Sequence, residues 1–266
     1  MATGVSTTSP SAISLDCCST CGKASEEDRK LQLCALCHFE KYCSKECQVK
    51  DWPQHRIICQ TLDKESKIWA PTDPMATFYA QAFVNMPRHR EAPLLVENFP
   101  EAGSEKMALD LGCGTGLSTL FLLKRGWKVV AIDVNRVMLG TLEKSAKAWI
   151  ENGQLEVIQA DIHQLEPTKK FDLVIASDVF PYLNPKSLFQ IWVKIHQALN
   201  ERGFFIGSFF DESRRTMEYN HGIWVVPNQE FVKQLLERFG YETKTLQNRL
   251  KTDNKSSIVE FLAQRQ

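Results

Sequence analysis

The stretch L-D-L-G-C-G-T-G, residues 109–116, places three glycines at alternate positions directly after an apolar segment. The residues M-A-L-D-L at 107–111 are strand-like, and the residues L-S-T-L-F-L-L-K-R-G at 117–126 are helix-like and end on a glycine. Glycines at 112, 114 and 116 remove side chains where a backbone must turn sharply and lie against a ligand. The stretch therefore predicts a strand, a ligand-binding turn and a helix.

Strand-like and helix-like segments continue to alternate after this turn. The further strand-like segments are KVVAID (128–133), LEVIQAD (155–161), FDLVIASD (171–178), GFFIGSFF (203–210), YETKTL (241–246) and SSIVEFLA (256–263). Helix-like segments cover residues 135–153, 185–199 and 228–240. Because strands that alternate with helices form parallel sheets covered by helices, the pattern predicts an α/β fold with seven strands.

Two carboxylates follow the glycine turn at the ends of predicted strands. Asp133 closes the second strand, where it can accept hydrogen bonds from both hydroxyls of a ribose, although a dehydrogenase would also place a carboxylate there. Asp161 closes the third strand, where it can accept from an adenine amino group. The spacing G-x-G-x-G differs from the dinucleotide fingerprint, which has two residues before its third glycine.

These motifs together resemble the class I S-adenosylmethionine-dependent methyltransferases over residues 69–266, with a Rossmann-like sheet. ALDLGCGTG matches the first motif of that family, AID the second, QADI the third and FDLVIASDVFPYL the fourth. The resemblance implies cofactor contacts from the turn, the ribose at Asp133, the adenine at Asp161, and Asp178 near the sulfonium or the acceptor. The implied cofactor residues are Asp110, Gly112, Cys113, Gly114, Gly116, Asp133, Asp161 and Ile162. Asp110 is interpreted either as an acid flanking the strand or as a partner of the cofactor's ammonium group, and Cys113 as a small loop residue that is not a nucleophile.

The catalytic candidates are Asp178 and His221. The fourth motif continues as S-D-V-F-P-Y, so it lacks the Asn/Asp-Pro-Pro-Tyr pattern of enzymes that methylate amide or exocyclic base nitrogens, and no paired-glutamate hairpin of the arginine-methylating kind is present. Small-molecule and protein acceptors both remain open. His221, in E-Y-N-H-G-I-W, is a candidate general base in a loop that could cover the substrate, and a surface role is the alternative.

Eight of the nine cysteines lie within the first sixty residues. Disulfides need an oxidising compartment, and no secretory signal directs the chain to one. Thiolate and imidazole pairs at short spacing instead suit tetrahedral zinc. The pairs are Cys18/Cys21, Cys34/Cys37, Cys43/Cys47 and His55/Cys59. Eight ligands make two structural zinc sites and leave Cys17 over.

The order C-x2-C, C-x2-C, YCS-x2-CQ and W-x2-H-x3-C resembles the MYND zinc finger between Cys18 and Cys59. The resemblance implies interleaved sites, with Cys18, Cys21, Cys43 and Cys47 on one ion and Cys34, Cys37, His55 and Cys59 on the other. It also implies docking of a proline-containing peptide of a protein partner at Gln48 and Trp52. The alternative is that Trp52 fills the small core of the finger.

The resulting organisation is a disordered segment (1–16), a finger (17–60), a linker (61–68) and a methyltransferase domain (69–266). Removal of zinc is expected to unfold the finger and leave the larger domain in place. Lys+Arg and Asp+Glu are both 32, and the finger has seven basic against six acidic residues, which argues against nucleic-acid binding. No apolar run reaches the length of a membrane span, so a cytoplasmic or nuclear protein is expected.

Two functions follow from this organisation. In the first, the chain is an S-adenosylmethionine-dependent methyltransferase that acts on a protein or small-molecule acceptor and uses its finger to dock a protein. In the second, the finger is the working part of an adaptor, and the methyltransferase-like domain is inactive or senses the cofactor.

Overall fold

The computed structural model describes residues 17–26, 30–68, 93–213, 224–250 and 257–266. The segment 1–16, expected to be disordered, and the candidate base His221 lie outside these residues. The described strands are β1 (Gln32–Leu33), β2 (Lys41–Tyr42), β3 (Met107–Leu111), β4 (Lys128–Asp133), β5 (Leu155–Gln159), β6 (Phe171–Ala176), β7 (Leu199–Asp211), β8 (Val225–Val226), β9 (Tyr241–Leu250) and β10 (Ser257–Arg265). The described α-helices are α1 (Lys45–Ile68), α2 (Pro93–Asn98), α3 (Leu117–Leu123), α4 (Arg136–Ser145), α5 (Lys147–Glu151), α6 (Leu188–Ala198) and α7 (Gln229–Arg238).

The central sheet has the strand order β5-β4-β3-β6-β7-β10-β9. Strands β5, β4, β3, β6 and β7 are parallel, and β10 is antiparallel to both β7 and β9. All seven predicted strands are present, and the α/β prediction is confirmed. The two residues of β8 pair in parallel with the end of β7, and this additional strand is too short to leave a pattern in the sequence.

The strand order places the βα turns after β3 and β4 beside each other. Parallel strands end at one edge of a sheet, and the order of strands reverses between β3 and β6. Ligands of open α/β sheets bind at this edge, at the point where the order reverses. The turn at 112–116 lies at that point.

Aromatic side chains dominate the core on one side of the sheet. Trp192 of α6 is fully buried, and the rings around it are Phe180, Phe205, Phe209, Phe239, Tyr241 and Phe261. The other side of the sheet packs aliphatic residues of α2, α3 and α4 against β3 and β4. Burial of large apolar surface on both faces explains why the parallel strands read as nearly continuous apolar runs.

Two predicted helices differ in detail from the observed ones. Residues 135–153, predicted as one helix, form α4 and α5, which are separated at Ala146. The helix predicted from residue 185 begins with a 3₁₀ turn at Pro185–Ser187, and α6 follows from Leu188. Among the described residues, no helix combines the length and apolar character that a membrane crossing requires.

Residues 30–68 contain the hairpin β1–β2 followed by the 24-residue helix α1. Residues 61–68, predicted to be a linker, are the last turns of α1. Pro53 lies inside this helix, although an interior proline removes a hydrogen-bond donor and commonly ends a helix. The helix thus carries the chain from the cysteine-rich region onto the sheet.

Candidate functional site

Every second residue of the glycine turn has a left-handed backbone conformation. The φ angles of Gly112, Gly114 and Gly116 are 64°, 56° and 85°. A Cβ atom at Gly112 would lie 2.5 Å from Val179 Cγ2, and one at Gly116 would lie 2.3 Å from Leu142 Cδ1. These two glycines are therefore required by the packing of the protein itself as well as by backbone conformation.

Gly114 differs from Gly112 and Gly116 because an added Cβ atom there would not overlap any atom of the protein. A Cβ atom there would meet only Met138 Cε, at 3.4 Å. The N–H of Gly114 donates to Asp133 Oδ2 at 2.8 Å, and the N–H of Asn135 donates to Asp133 Oδ1 at 2.8 Å. The Asp133 carboxylate thus ties together the turns after β3 and β4, and each of its oxygens keeps a lone pair for a ligand hydroxyl.

Asp161 lies two residues beyond the end of β5 and caps the short 3₁₀ helix Ile162–Gln164. Its Oδ1 accepts from the backbone N–H of His163 at 2.9 Å and lies 2.7 Å from His163 Nδ1. Burial opposes ionisation, but these hydrogen bonds lower the pKa of Asp161 below its ordinary value. The side chain of Ile162 is buried in the main core, so its contact with an adenine stays a prediction.

Asp110 lies inside β3 and is buried, with its Oδ2 accepting from Thr119 Oγ1 at 2.6 Å. Burial raises the pKa of Asp110 to about 7. Cys113 is also buried, and burial raises the pKa of its thiol well above the ordinary value. A thiol that is not ionised is a poor nucleophile, which agrees with the interpretation of Cys113 as a small loop residue.

Asp178 follows β6 at the same edge of the sheet and has a left-handed backbone, with φ 56°. Ser208 of β7 holds it in place: the Asp178 N–H donates to Ser208 Oγ at 2.7 Å, and this hydroxyl donates to Asp178 Oδ1 at 3.1 Å. Left-handed conformations of residues other than glycine carry strain and cluster at functional sites.

The cysteine-rich region contains two groups of metal-ligating side chains. We call the group of Cys18, Cys21, Cys43 and Cys47 the first zinc site. Its ligand atoms lie within 4.8 Å of one another, with 3.5 Å between the Sγ atoms of Cys21 and Cys43 and 3.6 Å between those of Cys43 and Cys47. These distances exceed the ~2.05 Å of a disulfide. They approach the ~3.8 Å edge of a tetrahedron with Zn–S bonds of about 2.3 Å.

The second zinc site consists of Cys34, Cys37, His55 and Cys59. Cys37 Sγ lies 3.2 Å from His55 Nε2, and Cys34 Sγ lies 3.7 Å from Cys59 Sγ. All four side chains of the second site are buried, whereas the first site is partly exposed. The donor sets fit two closed, structural zinc ions in the interleaved arrangement.

Comparison with known proteins identifies both regions. Residues 18–59 match the family model of the MYND finger, and residues 108–203 match that of a methyltransferase domain. The chain joins a MYND finger to a methyltransferase domain. The MYND finger is a protein-interaction module, and the methyltransferase domain has the S-adenosylmethionine-binding fold.

Two curated relatives resemble different parts of the chain. The MYND finger is 49% identical over 43 residues to "SET domain and MYND-type zinc finger protein 6" of Schizosaccharomyces pombe. This alignment covers 16% of this chain and 9% of that protein. The methyltransferase domain is 29% identical over 139 residues to a "Carboxy-S-adenosyl-L-methionine synthase" of Campylobacter concisus. This alignment covers 50% of this chain and 57% of that protein. This chain thus spans less than two thirds of either relative.

A solved structure supports the fold. The N-methyltransferase NodS of Bradyrhizobium japonicum, in complex with S-adenosyl-L-homocysteine, superposes with a TM-score of 0.52 at 16% identity. The superposition covers 79% of this chain and 98% of NodS. The likeness concerns the fold of the methyltransferase domain.

The MYND finger packs directly on the methyltransferase domain. The ring of Phe39 lies 5.1 Å from that of Phe189 and 6.1 Å from that of Phe239, and all three belong to or pack against one buried cluster. Near the end of α1, the buried Glu65 accepts from the backbone N–H of Val225 at 3.3 Å. The finger and the sheet therefore share a core.

The predicted peptide-docking residues lie on the first half of α1. Trp52 is 38% exposed, and its ring lies edge-on to His55 with 6.0 Å between centroids. Gln48 is half-buried one turn earlier. The tryptophan therefore both packs on a zinc ligand and presents a face to solvent.

Sequence reasoning missed two residues of the candidate site. Val134 directly follows Asp133, and 64% of its surface is exposed at the edge where the cofactor motifs meet. The sequence signal for Val134 was its position, as an apolar residue directly after the carboxylate that ends the second predicted strand. Ser208 left no signal, because its role depends on the pairing of β7 with β6, which brings it beside Asp178.

Proposed function

We propose that this protein is an S-adenosylmethionine-dependent methyltransferase that acts on a protein or small-molecule acceptor, with the MYND finger as its docking module. The observation that carries the proposal is the Asp133 carboxylate, which joins the glycine turn to the turn after β4 through two hydrogen bonds of 2.8 Å. A carboxylate fixed on both sides by backbone donors is preorganised to accept from neighbouring ribose hydroxyls.

Each part of the cofactor has a complementary group in this arrangement. The open face of Gly114 would hold the methionine and ribose portion, Asp133 would accept from the ribose, and Asp161 would accept from the adenine amino group. Val134 offers an exposed apolar surface for the adenine ring. When bound, the cofactor supplies a methyl carbon that its sulfonium activates toward displacement.

We assign Asp178 to the acceptor side of the site. Ser208 fixes both its backbone and its carboxylate, so a hydrogen-bonded acceptor would have a defined direction. Orientation of two reactants supplies much of the rate of a displacement of this kind. A general base is needed only when the nucleophile must lose a proton, and His221 keeps that role as a prediction.

For the finger, we propose that Trp52 and Gln48 contact a proline-containing segment of a protein. The exposed face of Trp52 and the neighbouring Val49, which is 64% exposed, provide an apolar surface on one side of α1. An extended proline segment loses little conformational entropy when it packs against an aromatic ring. Binding of fluorescent proline-containing decapeptides by the wild type and the loss of that binding in Trp52→Ala would support this role. Equal binding by both would contradict it.

Calorimetric titration with S-adenosylhomocysteine tests the proposed enzyme. The wild-type chain is expected to bind one equivalent. Asp133→Ala is expected to weaken binding at least tenfold, since each hydrogen bond to a charged acceptor contributes ~1.5–3 kcal/mol. Glu156→Gln serves as the control because Glu156, on β5, is exposed and pairs with Lys169 instead of contacting the glycine turn. Absence of binding by the wild type would leave the adaptor function in its place.

Gly114→Ala separates ligand contact from packing. Its added methyl group would meet only Met138 Cε, at a contact distance of 3.4 Å, whereas the methyl group of Gly112→Ala would overlap Val179. Both substitutions carry the strain of a positive φ angle, which costs on the order of 1–2 kcal/mol. Gly114→Ala should therefore remain folded and lose affinity for S-adenosylhomocysteine, while Gly112→Ala should lose more stability. Unchanged affinity in a folded Gly114→Ala variant would contradict the assignment of the turn.

A further inference from the structure

A chain of polar contacts links the second zinc site to the methyltransferase domain. His55 Nδ1 lies 2.7 Å from the hydroxyl of Tyr42, and this hydroxyl donates to Asp51 Oδ2 at 2.7 Å. Arg238, in the last turn of α7, donates through Nη2 to the same Asp51 oxygen and places Nε 2.8 Å from Glu40 Oε1. Arg238 belongs to the methyltransferase domain, and the other four residues belong to the finger.

The ligand role of His55 fixes the direction of these hydrogen bonds. Its Nε2 faces Cys37 Sγ within the zinc site, so Nδ1 of the neutral ring carries the proton. That N–H donates to the hydroxyl of Tyr42, which in turn uses its own proton toward Asp51. The series of contacts from His55 through Tyr42 ends at the buried carboxylate of Asp51. Arg238 supplies the cationic donor that pairs with this carboxylate.

The charges of the cluster give Arg238 a second role. Three thiolates, a neutral histidine and Zn²⁺ leave the second zinc site with a net charge of −1. Glu40 and Asp51 add two more negative charges, and only 6% and 4% of their side-chain surfaces are exposed. Arg238, itself mostly buried, is the cation that pairs with both. Buried carboxylates without a partner are costly, and here they would also lie beside an anionic metal site.

We propose that Arg238 of the methyltransferase domain is a positioning residue of the second zinc site, because it orients His55 through Asp51 and Tyr42. The finger then does not complete this site alone. Outer partners that orient a metal-bound histidine commonly change metal affinity 10- to 100-fold. By linkage, zinc in the second site strengthens the contact between the finger and α7 by the same factor by which this contact raises the affinity for zinc.

Zinc release from the full-length, zinc-loaded protein to the chromophoric chelator 4-(2-pyridylazo)resorcinol tests the proposal. Release is expected in two phases, which Cys21→Ser assigns by removing a ligand of the first site. Arg238→Met, which keeps an unbranched side chain and removes the guanidinium group, should accelerate release from the second site at least tenfold and leave the first site unchanged. Arg238→Lys should fall between this variant and the wild type. Arg136→Met is the matched control, since Arg136 pairs with the single carboxylate of Glu143 on an exposed face of α4.

Tyr42→Phe distinguishes orientation through the contact chain from a general loss of packing. It removes the hydroxyl that joins His55 to Asp51, keeps the ring and should accelerate the same phase. If Arg238 acts through this hydroxyl, Arg238→Met should have a smaller effect in the Tyr42→Phe background than in the wild type. Fully additive effects, equal acceleration of both phases by Arg238→Met, or wild-type release from that variant would each overturn the proposal.

Discussion

The MYND finger and the methyltransferase domain reach stability by different means. In the finger, the buried apolar side chains other than zinc ligands are few, and the main ones are Phe39, Tyr42 and Ile58. The methyltransferase domain instead surrounds Trp192 with fully buried aromatic rings. A segment as short as the finger cannot bury enough apolar surface to fold alone, so metal replaces a core.

The two zinc sites divide this task unequally. The first site is partly exposed and joins the turn that holds Cys18 and Cys21 to the start of α1, which holds Cys47. The second is buried, and its His55 connects through Tyr42 and Asp51 to Arg238 of the methyltransferase domain. One site therefore stabilises the finger locally, and the other lies where the finger and the sheet share a core.

The largest expected effect separates the two zinc sites. Cys37→Ser removes a buried ligand of the second site, and Cys21→Ser removes an exposed ligand of the first. Structural zinc supplies on the order of 10 kcal/mol of binding free energy. We expect Cys37→Ser to lower the main calorimetric unfolding transition strongly, because the shared core loosens with the finger.

Cys21→Ser should leave that main transition within a few degrees of the wild type, with one zinc ion still bound. Metal analysis of both variants provides the control for zinc content. Equal shifts from the two substitutions would show that the sites do not differ in their connection to the sheet.

Phe39→Ala tests whether the finger and the sheet unfold together. The ring packs between Phe189 and Phe239, and truncation of a buried phenylalanine costs about 3–5 kcal/mol. We expect a single unfolding transition at a lower temperature. Leu36→Ala, at a residue of the finger that is 49% exposed, should change stability by less than about 0.5 kcal/mol. An unchanged main transition in Phe39→Ala would mean that the shared core is not cooperative.

The next prediction concerns the sheet alone. The folded state raises the pKa of Asp110 to about 7 through burial, so it favours the protonated carboxyl group. The unfolded state binds fewer protons over this range, and the stability that Asp110 contributes declines as the pH rises from about 4 to about 7. Asp110→Asn cannot ionise. The free energy of unfolding of this variant, measured with denaturant, should therefore rise by about 2–3 kcal/mol relative to that of the wild type between pH 5 and pH 8. Parallel pH profiles would contradict the assigned shift.

The smallest expected effect on stability belongs to the exposed face of the finger. Trp52→Ala removes a partly exposed ring that touches His55 only at its edge, so we expect a loss of no more than about 1–2 kcal/mol. Affinity for S-adenosylhomocysteine should remain that of the wild type, with Leu33→Ala, at a residue of β1 that is 45% exposed, as the control. A substantial loss of affinity would place Trp52 in the cofactor site instead of on a docking surface.

The zinc ligands and the cofactor turn could be predicted because their chemistry fixes local spacing. Two residues between cysteines allow one turn to present both sulfurs to an ion, and alternate glycines mark a backbone that lies against a ligand. The strands at the centre of the parallel part of the sheet, β3, β4 and β6, followed from apolar runs, because such strands are buried on both faces.

Contacts between distant segments could not be predicted in the same way. Arg238 reads locally as a cation near the end of a helix, where it would favour the helix dipole. Its pairing with Asp51 appears only after α1 and α7 pack together. Residues 61–68 were predicted to be a linker because the stretch T-L-D-K-E-S-K is charged, but a polar stretch of this kind also suits the exposed face of a helix. The contacts of Phe39 with Phe189 and Phe239 predict instead that the finger and the larger domain unfold together.

Hydrogen exchange of the full-length protein, with and without S-adenosylhomocysteine, tests the central claim most directly. The claim is that the glycine turn and Asp133 form the cofactor site of the methyltransferase domain. We predict slower exchange at residues 109–116 and 133–135 on addition of saturating ligand, with the hairpin of the finger at residues 32–42 unchanged. Unchanged exchange at residues 109–116 and 133–135 under those conditions would contradict the claim.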